Sequence, residues 1–200
     1  MHQKFYLLKI KIIGSNPLIW RKLYVTSSIT LDRLHDVIQI TMGWENQHSY
    51  HFTFNDITYS ISPKDESDGN IIEFYHLDKL IKTSGESFKY VYDFRSSWGH
   101  EVLVEDTDYK PNDPSVLIKC LNGENACPIE DSGGIDEYIE FCEVFCDSSH
   151  PLHPETKSWY RKTQGLKDFD PDDFDRGTTN YELQKYMKWS RDRALKWTDC

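Results

Sequence analysis

The sequence predicts an α+β fold: a mostly antiparallel sheet packed with several helices, in a single domain over residues 1–200. Three observations carry this expectation. Segments with apolar residues at every second position recur through the first 121 residues. One amphipathic helical stripe interrupts them early. Helical spacing then dominates from residue 136 onward. No repeat or low-complexity linker divides the chain, and its length is enough for one buried core.

Phe5–Ile13 alternates, with Tyr6, Leu8, Ile10 and Ile12 on one face and Lys9 and Lys11 on the other. Gly14–Pro17 reads as a turn into a second strand, Ile19–Val25, and the two form an antiparallel hairpin. Arg21 shares the apolar face of that strand. It is expected to snorkel its charge to solvent rather than meet a buried carboxylate. Thr30 is placed to cap a helix over 31–42, where Leu31, Leu34, Val37, Ile38 and Met42 form the apolar stripe, and Gly43 stops it. His51–Phe54 and Ile57–Ile61 form a hairpin across Asn55-Asp56. Residues 62–70 read as an exposed loop and 77–82 as a short helical turn.

Phe88, Tyr90, Tyr92 and Phe94 alternate on one strand face; His100, Val102 and Val104 continue the pattern on the next strand. Val116–Leu121 is a further strand, and Asn122–Gly134 is a loop. Asp136 is placed to cap a helix over 137–146, with Tyr138, Phe141, Cys142 and Phe145 facing inward. A short helix within 151–165 is anchored by Trp159, and Asp168–Asp175 is an acidic loop. Thr179 and Glu182 have capping-box spacing for a last helix through Trp197. Its inward face is Leu183, Met187, Ser190, Ala194 and Trp197.

The 23 Lys and Arg against 33 Asp and Glu leave the acidic chain at −10, which disfavours nucleic acid as a partner. Neither a secretion signal nor an apolar run of about 18 residues is evident, so a cytoplasmic protein without membrane contact is expected. Five cysteines without a secretion signal point to free thiols or a metal site, not to a disulfide framework.

Several motifs, in order along nearly the whole chain, resemble the plasmid pRiA4b ORF-3-like family, also met as passenger proteins of insertion elements. They are Ile19-Trp20-Arg21-Lys22 with 31–39; Met42-Gly43-Trp44 with His48; and Tyr92-Asp93-Phe94 with Trp98 and His100. Cys120 through Gly134, with Cys127-Pro128, Glu130-Asp131 and Gly133-Gly134, is the fourth. Phe169-Asp170-Pro171 and Phe174-Asp175 follow. The resemblance implies one α+β domain from a mobile-element setting, of a family without an established activity. Arg95, Ser96 and Gly99 depart from the residues usual in the family's turn, Ser132 stands where a Cys is frequent, and Tyr50 replaces a second His.

The stretch Tyr92–Glu101 sets polar side chains among large aromatics, and loops and turns are where binding groups concentrate. The candidate ligand-binding residues are Trp44, His48, Tyr92, Asp93, Trp98, His100, Cys127, Glu130 and Asp131. They are read as a cleft of a ligand- or protein-binding module. One alternative is a small metal- or thiol-dependent enzyme using His48, His100 and Cys127. The other is a mobile-element-associated nucleic-acid binder using the last helix, where Lys185, Lys188, Arg191, Arg193 and Lys196 accompany Trp189 and Trp197. No metal or cofactor is expected. Only Cys142 and Cys146 have metal-like spacing, His48 and His51 lack a helical Glu between them, and the Asp168–Thr179 stretch lacks the Gly and Glu of a calcium loop.

Overall fold

A computed structural model describes residues 3–60, 70–130, 132–165 and 169–189. The alternating segments pair into a sheet. β1 (Phe5–Ile12) and β2 (Trp20–Thr26) form the expected antiparallel hairpin, with Leu8 opposite Leu23. β3 (Tyr50–Phe54) and β4 (Ile57–Ser60) form the second, across Asn55 and Asp56, both at positive φ. β5 (Asn70–Ile71) adds a short parallel edge to β4. β6 (Ser87–Tyr92), β7 (Trp98–Tyr109) and β8 (Ile118–Glu124) complete the sheet in the order β5-β4-β3-β6-β7-β1-β2-β8.

One face of the sheet is the more deeply buried, so β3, β7 and most of β1 alternate. Along β7, Trp98, His100, Val102 and Val104 are buried, while Glu101 points outward and pairs with Lys11 at 3.5 Å. Against the buried face lies α1 (Leu31–Met42), which inserts the whole predicted stripe from Leu31 to Met42. A single turn, α2 (Leu77–Leu80), follows a 3-10 turn at Ile72–Phe74. α3 (Ile135–Cys146) and α4 (His153–Gln164) pack together through an aromatic cluster, with Phe141 5.4 Å from Phe145 and Tyr160 5.3 Å from Phe145. α5 (Arg176–Trp189) lies along β8 and reaches α1, where the Tyr186 hydroxyl donates to Asp36 at 2.9 Å.

Several local expectations change. Arg21 does not snorkel: it is 2% exposed. Its Nε donates to the Thr41 carbonyl at 3.1 Å, and its Nη1 to those of Trp20 at 2.9 Å and Glu124 at 2.8 Å. The guanidinium lies 4.1 Å from the centre of the Phe174 ring. Carbonyl dipoles and a ring face replace the water that snorkelling would have reached. The close fit needs Gly123, where an added Cβ would come within 2.7 Å of Phe174 and 2.8 Å of Arg21.

Thr30 sits at the start of α1 but makes no side-chain capping bond; its backbone bridges to His76 instead. Phe94 does not continue the face of Tyr92, because Asp93 at φ 51° turns the chain and leaves Phe94 exposed against His51. The strand expected over 116–121 runs later, over Ile118–Glu124. Gly134, not Asp136, is the N-cap of α3: its N–H donates to the Glu137 carboxylate at 2.9 Å, and Asp136 lies in the first turn. Tyr160, not Trp159, anchors α4: Tyr160 is 4% exposed and Trp159 38%. α5 starts three residues before Thr179. Asp175 caps it, accepting from the N–H groups of Gly177 at 2.7 Å and Thr178 at 3.0 Å. Leu183 is buried and Met187 packs inward as expected; Ser190, Ala194 and Trp197 lie outside the described residues, as does the loop expected over 62–70 except Asn70, which is in β5.

Candidate functional site

Trp44 leaves α1 immediately after Gly43, whose left-handed φ of 83° reverses the chain so that the Trp44 N–H returns to the Gln39 carbonyl at 3.0 Å. That reversal drives the indole under the sheet. Its ring stacks on Tyr92 at 5.0 Å and 25°, meets His100 edge-on at 5.4 Å, and lies 6.0 Å from Trp98. Its Nε1–H donates to the Pro128 carbonyl at 2.8 Å. Sheet, helix end and the loop after β8 therefore meet at one residue.

A second link runs beside it. The Tyr92 hydroxyl donates to Glu130 Oε1 and accepts from the Gln47 N–H at 2.9 Å. Glu130 Oε2 accepts from the Glu45 N–H at 2.6 Å. Both carboxylate oxygens are thus held, and the 127–130 loop is fixed to the 45–47 turn. Burial, with the bond to Glu130, raises the Tyr92 phenol well above its ordinary range.

The other candidates have different tasks. Asp93 builds its own turn: Oδ1 accepts from the Arg95 N–H at 3.1 Å, Oδ2 from the Ser96 hydroxyl at 2.5 Å, and its carbonyl from the Ser97 N–H at 2.6 Å. Burial pushes its carboxyl up, but the bonds from Ser96 and Arg95 outweigh this and hold it below the usual range. His48 is half-buried, with its ring edge-on to Tyr92 at 5.8 Å. Trp98 is buried, and its carbonyl lies 2.9 Å from His100 Nδ1, which assigns the proton to that nitrogen. His100 is fully buried. Burial lowers its pKa to about 4; the backbone carbonyls of Trp98 and Tyr90 oppose this only in part.

A polar network that the sequence reading passed over lies next to this group. Gln39 Nε2 donates to the Tyr90 hydroxyl at 3.0 Å, Tyr90 donates to His35 Nδ1 at 2.8 Å, and His35 Nε2–H donates to Asn46 Oδ1 at 2.7 Å. The Asn46 N–H closes the ring on Gln39 Oε1 at 3.1 Å. His35 also stacks on Tyr50 at 3.3 Å. The available signal was the spacing: His35 and Gln39 are i and i+4 beside an apolar stripe, so two polar groups share a buried helix face.

A cleft of about 520 Å³ opens on the outer side of the 127–130 loop. Of the candidate residues, Cys127 and Glu130 line it; Trp44, His48, Tyr92, Asp93, Trp98 and His100 do not, and Asp131 lies outside the described residues. Glu45, Gln47, Trp159, Tyr160 and Phe169 also line it. Gln47 Nε2 donates to Glu45 Oε2 at 2.6 Å. Burial pushes the Cys127 thiol up to about 12, with the charge of Arg21 opposing. A separate apolar cavity of about 250 Å³ is walled by Cys142 and Cys146, which share a helix face as their spacing implies. Among the described residues, no three His, Cys, Asp or Glu side chains are grouped to hold a metal ion. No helix among them is long and apolar enough to cross a membrane.

The family model described as plasmid pRiA4b ORF-3-like protein matches residues 4–178 of the chain. An uncharacterised protein, y4hQ, of Sinorhizobium fredii (strain NBRC 101917 / NGR234) is 33% identical over 193 residues, covering 95% of this chain and 92% of the relative. The crystal structure of a protein of unknown function from Methanosarcina mazei Go1, MM3350, superposes with a TM-score of 0.77 at 28% identity. It covers 89% of this chain and 97% of that one.

Proposed function

The chain belongs to the plasmid pRiA4b ORF-3-like family, and from that premise we propose that it is a binding module whose ligand seat is the cleft outside the 127–130 loop. The observation that carries this reading is the contrast between the cleft and its support. Trp44 and Tyr92 are buried behind the loop and hold its Pro128 and Glu130, so the cleft floor is rigid before any ligand arrives. A preformed concave surface with aromatic walls and a few fixed polar groups is what ligand recognition uses.

The enzyme alternative has less support. A thiol pushed up to about 12 is not a resting thiolate, and the buried imidazole of His100 does not line this cleft. For the nucleic-acid alternative, Lys185 on α5 is already engaged by Glu182 at 2.8 Å, and the chain as a whole is acidic.

A thermal-shift screen of a metabolite and peptide collection tests the proposal. A ligand for this seat raises the melting temperature of the wild type and not that of Glu130→Gln or Trp159→Ala. Ligands that stabilise all three proteins equally would put recognition elsewhere.

A further inference from the structure

The chemistry of the cleft walls narrows what it can take. We propose that the seat accepts an organic cation, an ammonium or guanidinium group on a short alkyl stem; this rests on the cleft being the binding site. Its lining carries two carboxylates, Glu45 and Glu130, and among the described lining residues no Lys, Arg or His offsets them. The same lining includes three aromatic side chains, Trp159, Tyr160 and Phe169. Carboxylates and aromatic rings are the two kinds of group that attract a cation, the first by charge-assisted hydrogen bonds and the second by the ring quadrupole.

Glu130 is suited to this task although it is already bonded. Each of its oxygens takes one protein hydrogen bond, from Tyr92 and from Glu45. A carboxylate has about four acceptor sites, so capacity remains for a ligand donor. The same two bonds fix its position, so a cation meets it without ordering cost. Glu45 is exposed, with one oxygen on Gln47 Nε2 at 2.6 Å, and it can turn toward a ligand from the rim.

Charge also decides between ligand classes. An anion would meet two like charges in a chain already at −10. A neutral group of the same shape would fill the aromatic wall but leave the carboxylates unused. The apolar lining residues Met42, Pro128 and Ile129 suit an alkyl stem behind the charged head. A volume of about 520 Å³ admits a small ligand or one extended side chain.

The experiment maps backbone amide shifts by NMR with matched probes: n-butylammonium, butylguanidinium and tetramethylammonium, against butanol and butyrate. A lysine residue blocked at both ends separates a peptide source from a free amine, according to which binds more tightly. The cations should give saturable shifts at 43–47, 127–130 and 159–164, weakened by added salt, and butyrate none. Affinity should fall about ten-fold in Glu45→Gln/Glu130→Gln. Gln at 130 offers one oxygen to Tyr92 but turns its amide nitrogen to the Glu45 N–H, whereas Glu45→Gln alone alters only a side chain exposed at the rim, so that single variant, with urea unfolding of both, separates lost affinity from lost fold. If butanol or butyrate shifts the same amides as strongly, the cation assignment falls while the seat stands. If no probe shifts them, both fall.

Discussion

The hydroxyl of Tyr92 donates to the carboxylate of Glu130, joining the end of β6 to a loop 38 residues further along the chain. This bond and the one from Trp44 to Pro128 hold the cleft floor in place. Removing the hydroxyl isolates its contribution. Tyr92→Phe keeps the ring stacked on Trp44 but strips Glu130 of a donor and the Gln47 N–H of an acceptor. We expect a loss of about 1–3 kcal/mol in urea unfolding, with the slope of the transition unchanged. Hydrogen exchange should quicken at 45–47 and 127–130 and stay unaltered in β1 and β2.

Stability should fall as pH drops through the range set by two buried histidines. Burial lowers both His35 and His100 to about 4, against an ordinary value of about 6.5 for an unfolded imidazole. Above the unfolded value both states are neutral and nothing is lost. Between about 6.5 and 4 the unfolded chain binds protons that the folded chain refuses, so the folded state loses ground with each step down. The full effect approaches about 3 kcal/mol per histidine at the lower end. Urea midpoints recorded from pH 7.5 to 4.5 should show this slope, and His35→Gln and His100→Leu should each flatten it by about half. A slope unchanged in both variants would assign the loss to other groups.

Much of the sheet was legible because one of its faces is the more deeply buried. Residues 6–12 and 98–104 alternate without interruption, and a period of two has no other solution in a half-buried strand. The α1 stripe was legible for the corresponding reason at helical period. Starts of helices were harder. Asp175 and Thr179 are both good capping types, and the choice between them rests on contacts made far away in sequence, where Arg176 and Asn180 bond to β8. Trp159 and Tyr160 are adjacent on one helix, so a shift of one residue exchanges the buried ring for the rim one. The site was legible as a set of residue types but not as an arrangement. Trp44, Tyr92 and Glu130 meet only after β3, β6 and the loop after β8 come together. The Asp and Ser residues of 93–97 mark a turn between two strands, but nothing in the local spacing of His100 signals that it is sealed in the core.

Thiol reactivity should follow exposure and not the motif. Cys146 is exposed, whereas burial pushes Cys120 up to about 11 and Cys127 up to about 12. Alkylation with iodoacetamide at pH 7.5, mapped by mass spectrometry, should modify Cys146 well before Cys120 or Cys127. Those two should react at comparable rates only after unfolding in urea. Preferential labelling of Cys127 in the folded protein would reinstate the thiol-enzyme alternative.

Asn180 closes the open edge of the sheet at β8. Its Oδ1 accepts from the Cys120 N–H at 2.9 Å and its Nδ2 donates to the Cys120 carbonyl at 2.8 Å, so one amide side chain answers both backbone groups as a neighbouring strand would. Arg176 covers the next carbonyl, that of Leu121, at 3.1 Å. An edge strand left with free backbone groups recruits other strands. Asn180→Leu should therefore lower stability by about 1–3 kcal/mol and produce concentration-dependent association, read by sedimentation velocity. Asn180→Asp keeps the acceptor and loses the donor, so it should fall between the two. If the Leu variant is less stable but stays monodisperse at every concentration, the bulk of α5 and not its amide guards the edge. The paired substitutions separate those two forms of protection because both leave the helix in place and change only what it offers to the strand.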